Sequence, residues 1–223
     1  MPMKKAIVLL SGGMDSAVAL WWAKDWGLRC YALSFDYGQR HRKELRQAKI
    51  IARKAHVPQR IVSFRLPWGG SSLTDLKTEL PHHKLENISR GAIPSTYVPA
   101  RNTIFLSFAL SWADEIKAEA VVIGANAVDY SGYPDCRPFY FKAVRQVARL
   151  GTRLGAEGKK KINILAPLLK LSKRGIVKLG FKLGVPFHLT WSCYKGGRKP
   201  CGRCDACQLR EKGFREYGSR VHH

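Results

Sequence analysis

The chain has 223 residues, 45% hydrophobic and 25% charged, enough to bury a sizeable core and ordinary for a globular protein. Lys and Arg number 39 against 16 Asp and Glu, a net charge of +23, which favours anionic partners, either small molecules or nucleic acid. No apolar run reaches the roughly 20 residues of a membrane span, and the run after Lys4-Lys5 is too short for a signal peptide, with Asp15 where cleavage would fall. A single-domain, cytoplasmic protein is therefore expected.

Ala6 to Leu10 is a short continuous apolar run, as in a strand buried on both faces. Ser11-Gly12-Gly13 follows at once. Apolar residues then resume at helical spacing through Val18, Trp21 and Trp22 until Gly27. Strand, glycine turn and helix start make an anion site. Two glycines are expected to let the backbone approach a ligand closely, with the helix dipole and open N–H groups behind them and hydroxyls from Ser11 and Ser16. No Lys follows the glycines, so this is not a Walker A loop. Asp15 would repel a polyphosphate unless a cation intervened, which implies Mg²⁺. SGGMDS resembles the SGGxDS pyrophosphate loop of the N-type ATP pyrophosphatases, enzymes that activate substrates by adenylation.

Arg29 to Phe35 reads as a second strand, ending in Asp36-Tyr37-Gly38-Gln39-Arg40-His41. Ligands of open parallel sheets sit at the carboxyl ends of strands, so Asp36 is expected to face the nucleotide. A helix with Leu45, Ala48, Ile51, Ala52 and Ala55 on one face stops before Pro58, and Ile61 to Phe64 is a third strand. Residues 67 to 100 are broken by Pro and Gly and are expected to form a lid or substrate loop. Thr103 begins an apolar helix. Ala120 to Ile123 is a fourth strand, running into a loop with Asp129, Tyr130, Tyr133, Asp135 and Arg137, a ligand-loop composition. Pro138 to Leu154 reads as one helix, Ile162 to Leu165 as a fifth strand, and Ser172 as the cap of a helix reaching Leu183. The alternation predicts an α/β fold with a doubly wound parallel five-stranded sheet.

Cys193, Cys201, Cys204 and Cys207 have the spacing C-x7-C-x2-C-x2-C. Four thiolates so close fit a structural, tetrahedral zinc site; an iron–sulfur cluster is the alternative, and a cytosolic location argues against disulfides. Residues 1–185 are expected to form the α/β domain, with 186–223 a zinc-binding segment packed on it.

SGGMDS, SFDYGQRH at 34–41, IPSTYVPARNTIFLS at 93–107, IGANAVDYSGYPDCRP at 123–138 and TWSCYKGGRKPCGRCDAC at 190–207 together resemble the 7-cyano-7-deazaguanine synthase (QueC) family over nearly the whole chain. The resemblance implies strand order 3-2-1-4-5. It also implies ATP-dependent conversion of 7-carboxy-7-deazaguanine and ammonia to the 7-cyano product. Adenylation turns the carboxylate into a mixed anhydride that ammonia attacks, and a second activation removes the amide oxygen. By motif match, Leu10, Ser11, Gly12, Gly13, Met14, Asp15, Ser16 and Ala17 hold ATP, and Asp36 its ribose or adenine. Asp15, Arg101 and Asn102 are the catalytic candidates. Tyr97, Asp129, Tyr133, Asp135 and Arg137 are the substrate candidates, with Tyr130 a further stacking residue. A homodimer is expected, with only weak, non-specific nucleic-acid binding. The competing classes are a PP-loop tRNA thiolase or lysidine synthetase, which should bring an RNA-binding domain or a sulfur-transfer cysteine pair; an amidotransferase-type ligase, which leaves the cysteines unexplained; and a zinc module for nucleic acid, which leaves the ATP loop unexplained.

Overall fold

A computed structural model of the chain, describing residues 3–88, 93–126, 132–158 and 161–218, has one five-stranded sheet. The strands are β1 Lys5–Leu9, β2 Arg29–Asp36, β3 Gln59–Ser63, β4 Ala120–Val122 and β5 Asn163–Leu165. All pair in parallel, in the order β3-β2-β1-β4-β5 expected from the family resemblance. Ile7 of β1 lies between Tyr31 of β2 and Val121 of β4. Ala6, Ile7 and Val8 are wholly buried, which is why the run shows no polar alternation. The chain leaves β1 for β2 on one side and later returns to β4 on the other. The carboxyl ends of β1 and β4 therefore open a crevice at the reversal of strand order.

The helices are α1 Met14–Asp25, α2 Lys43–Lys54, α3 Arg101–Glu115, α4 Pro138–Leu150, α5 Arg153–Ala156, α6 Lys173–Lys182 and α7 Asp205–Tyr217. They cover both faces. Ala6 and Val8 point into a core with Val18 and Leu20 of α1, Ile51 of α2, Ile176 of α6 and Phe214 of α7. Ile7 and Leu9 point the other way, into a core with Leu106 of α3 and Phe141 of α4. Full burial of each such large side chain contributes about 1.5–3 kcal/mol.

The sequence expectations differ from the structure in three places. The helix expected over 138–154 ends at Leu150. Gly151 breaks it, and Thr152 starts α5 by accepting a hydrogen bond from the Gly155 N–H at 3.2 Å. The apolar helix begins at Arg101, two residues before Thr103, because Asp135 supplies its cap from a distant loop. Helix α7 was not foreseen at all. Gly213 sits in its middle because a Cβ there would meet Lys173 Cβ at 2.9 Å, so α6 and α7 cross in close contact. Residues 67–88 hold turns and one short 3₁₀ helix, Leu85–Asn87, as the Pro and Gly content implied.

Candidate functional site

The loop Ser11-Gly12-Gly13 closes on itself before α1. The Gly13 N–H donates to Ser11 Oγ at 3.2 Å, the Ser11 N–H to Ser16 Oγ at 3.2 Å, and Ser16 Oγ–H to the Gly13 carbonyl at 3.0 Å. The two serines therefore shape the loop itself. No side chain caps α1, whose first turn, with Asp15, opens on a cavity of about 320 Å³ at the crevice. Gly13 lines that cavity. Gly12 does not, and its requirement for glycine has another origin. It has φ +92, and a Cβ there would lie 2.0 Å from the Glu44 carbonyl oxygen and 2.7 Å from the Ala48 N. Gly12 is thus the point where the loop rests on the backbone of α2, a correction to the expectation that both glycines serve ligand approach.

Basic side chains dominate the cavity wall. Arg40, His41, Arg101, Lys173 and Arg210 line it, against two carboxylates among the described residues, Asp15 and Glu44. Lys173 Nζ donates to Asp15 Oδ2 at 2.6 Å, while the buried Asp15 Oδ1 has no hydrogen-bond partner. A buried carboxylate oxygen without a donor fits a hard metal cation. Burial pulls the Arg210 guanidinium down to about 10, with Asp15 opposing, so it stays charged at neutral pH. Arg210 is fixed by hydrogen bonds to Thr190 Oγ1 at 2.8 Å and the Phe187 carbonyl at 3.0 Å. Burial raises the Glu44 carboxyl to about 7, with Arg101 opposing and Cys193 adding to the rise. Burial likewise raises the Cys136 thiol to about 12, which leaves it a poor nucleophile. Leu33, Phe35 and Phe105 give the same cavity an apolar side fit for a planar ring.

The four cysteines converge at the start of α7. Their sulfurs lie within 4.8 Å of one another, with Cys201–Cys207 at 4.0 Å and Cys204–Cys207 at 3.6 Å. A tetrahedron of zinc–sulfur bonds has edges of about 3.8 Å, so the cluster can hold such an ion. The knuckle is fastened to the cavity wall. A Cβ on Gly196 would strike the His41 ring at 2.2 Å, and the imidazole Nε2 meets the Cys193 carbonyl oxygen at 3.0 Å. Burial holds that imidazole below its ordinary value. The Trp191 N–H donates to the Gly12 carbonyl at 2.9 Å, tying the segment to the Ser11-Gly12-Gly13 loop.

Of the candidates named from sequence, Leu10, Ser11, Gly13, Met14, Asp15, Ser16, Arg101, Asn102 and Tyr133 line the cavity. Ala17 is wholly buried behind the loop. Asp36 lies in a separate depression and pairs with Arg42 at 3.0 Å, so it is not on the main cavity wall. Asn102 donates from its side chain to the Asp135 carbonyl at 3.1 Å, and Asp135 Oδ2 accepts the Asn102 N–H at 3.0 Å. That exchange holds the first turn of α3 and occupies the carboxylate oxygen expected to read a substrate. Arg137 is exposed at the start of α4. The Tyr97 hydroxyl accepts from the Ala100 N–H at 2.9 Å, and its ring lies 5.8 Å from that of Tyr133. Asp129 and Tyr130 lie outside the described residues. Glu44, Lys173 and Arg210 went unnamed from sequence. The first is a single acid in a basic helix, the second follows a helix cap, and the third lies on the unforeseen α7.

The model of the family described as "Queuosine biosynthesis protein QueC" matches residues 5–218. The chain is 56% identical over 216 residues to 7-cyano-7-deazaguanine synthase of Trichormus variabilis, covering 96% of this chain and 95% of that protein. It is 57% identical over 217 residues to the same-named protein of Trichodesmium erythraeum, covering 96% and 97%. The Thermoplasma volcanium protein of that name is 54% identical over 216 residues, covering 96% and 88%. The five parallel strands, the SGGMDS loop at the switch point and the four-cysteine knuckle all fall within that match, and the chain belongs to the QueC family.

Proposed function

We propose that this chain is an ATP-dependent ligase that converts 7-carboxy-7-deazaguanine and ammonia into 7-cyano-7-deazaguanine, activating first the carboxylate and then the amide as adenylates. The observation that carries this reading is family membership over residues 5–218. The cavity chemistry is consistent with it. A carboxylate oxygen leaves poorly until AMP is attached. The uncapped N–H groups in the first turn of α1 offer donors to phosphate, and Lys173 and Arg210 balance the charge of the departing pyrophosphate. Asp15, whose buried Oδ1 has no hydrogen-bond partner, is the residue that would hold Mg²⁺, and the ion would supply positive charge to offset the phosphates. Arg101 is assigned to the phosphate or the substrate carboxylate, and Tyr133 to the ring of the substrate. The cysteine knuckle takes one structural zinc, because four thiolates leave no open position for water. Residues 1–185 then supply most of the nucleotide site, and 186–223 brace its rim and lend it Arg210.

Two looser expectations belong with this reading. A homodimer would cover the exposed apolar stripe of α4, where Phe139 is 84%, Val147 59% and Leu150 70% exposed. Sedimentation as a monomer at working concentration would remove it. Among the described residues no helix is long and apolar enough to cross a membrane. The deciding experiment incubates the protein with 7-carboxy-7-deazaguanine, ATP, Mg²⁺ and ammonium and follows products by mass spectrometry. The nitrile and AMP are expected. Nitrile with ADP would replace adenylation by phosphorylation, and no nitrile would sink the assignment.

A further inference from the structure

Nitrogen must enter this cavity and lose protons there, and the sequence motifs name no group for that work. Two carboxylates line the cavity among the described residues, and Lys173 already holds Asp15. Glu44 makes no salt bridge and no side-chain hydrogen bond among the described residues, although it stands in a wall otherwise rich in cations. Its position is fixed by the contact that forces glycine at position 12, for the backbone of Glu44 is the surface on which the loop rests. Any side chain at Gly12 would drive Glu44 and the phosphate loop apart. Arg101 lies close enough to favour the charged form of Glu44.

We propose that Glu44 is the subsite for the attacking nitrogen, binding ammonium beside the activated carboxylate and taking its proton. This rests on the ligase reading above. Ammonia in neutral water is almost wholly ammonium, which has no lone pair to attack with. Ammonium gives one proton to the Glu44 carboxylate. The freed lone pair forms the C–N bond at the acyl carbon, the C–O bond to AMP breaks with its electron pair going to the phosphate, and the surplus N–H proton passes to solvent. In the second half, ATP adenylates the amide oxygen, pyrophosphate leaves and one N–H proton is lost. Glu44, having returned its first proton to solvent, takes the last N–H proton of the resulting imidate. That electron pair completes the carbon–nitrogen triple bond as the second C–O bond to AMP breaks. One base suffices because the same nitrogen reacts in both halves. Of the other described residues that line the cavity, Lys173 is paired with Asp15, His41 has Nε2 on the Cys193 carbonyl oxygen and Nδ1 accepting from the Lys43 N–H, and burial holds the Cys136 thiol up, so Glu44 is the group left for that role.

The test separates activation from nitrogen chemistry in full-length Glu44→Gln and Glu44→Asp. Exchange of labelled pyrophosphate into ATP, with 7-carboxy-7-deazaguanine and no nitrogen source, reads activation alone. Glu44→Gln should keep that exchange within about threefold and lose about 100-fold or more in the reaction with ammonium. Hydroxylamine, which is neutral near pH 7 and needs no deprotonation before attack, should react at near wild-type rate. Glu44→Asp should recover part of the ammonium rate. Equal ammonium rates in wild type and Glu44→Gln would overturn the proposal, as would equal losses with ammonium and hydroxylamine. Loss of exchange in Glu44→Gln would also overturn it, by placing Glu44 in activation. Absence of exchange in the wild type would instead strike the ligase reading, and the proposal would fall with it.

Discussion

Asp15 and Glu44 share one cavity and are held in opposite electrostatic circumstances. Asp15 has a lysine at 2.6 Å on one oxygen and an unpartnered, buried second oxygen. That second oxygen is costly to bury alone, roughly 1–3 kcal/mol or more for a charged group. Asp15→Asn should therefore leave the fold intact while lowering Mg²⁺-ATP-dependent turnover by two orders of magnitude or more, read by AMP release at saturating substrate. Near-normal turnover would remove Asp15 from the phosphate site. Glu44 bears on stability. Its folded carboxyl is raised from the ordinary 4.5 to about 7, so the folded chain binds this proton more tightly than the unfolded one. The contribution is fully present below about pH 4.5 and is lost as pH rises through about 7. Glu44→Gln should flatten that part of the ligand-free stability curve, making the variant relatively more stable at pH 8 than at pH 5 when both proteins are unfolded in urea. A wild type whose Glu44-dependent stability is flat from pH 5 to 8 would contradict the burial.

At the scale of elements, the cysteine knuckle and α7 form one unit whose ends serve different masters. Cys204 caps α7 and Cys207 lies in its first turn, while Arg210, one turn further on, reaches the cavity. Removing one sulfur should thus be felt at the active site without touching substrate. Cys204→Ala should lower bound metal well below one per chain, raise amide exchange over 190–217 and reduce activity in step with metal loss. Full activity in metal-free protein would separate the knuckle from the cavity. Iron with sulfide in the purified protein would replace the zinc assignment. The strands, the loop and the four cysteines were legible because each is a local pattern: an unbroken apolar run, SGG before a helix, a fixed ligand spacing. What escaped the sequence was set by contacts distant in the chain. Asp135 capping α3 spans 33 residues, Lys173 reaching Asp15 spans 158, and α7 carries a glycine whose reason lies on α6. The role of Gly12 was hidden for the same cause, since its neighbour is a helix more than thirty residues on.

For the whole molecule, the net charge of +23 far exceeds what the cavity employs. Arg101, Lys173 and Arg210 line the cavity, and Arg40 is spent on the carbonyls of Ser72, Asp75 and Thr78. Much of the remainder is exposed, including Lys195, Arg198, Lys199 and Arg203 around the knuckle. Such a surface attracts any polyanion by releasing its counterions, with a binding constant that falls as about the 0.9 power of salt for each phosphate of a duplex engaged. Sequence selectivity needs more, namely aromatic or hydrogen-bonding side chains placed against bases. We therefore expect tRNA and an unrelated duplex RNA to bind with similar, weak affinity at low salt, to be released together as salt approaches physiological strength, and to leave turnover unchanged. Replacing those four knuckle residues with Gln should shallow the salt slope for both RNAs equally while preserving nitrile formation. Saturable tRNA binding that survives physiological salt, discriminates against the duplex and alters turnover would mean that the basic surface docks a macromolecular substrate, and would move the chain toward the tRNA-modifying class of PP-loop enzymes.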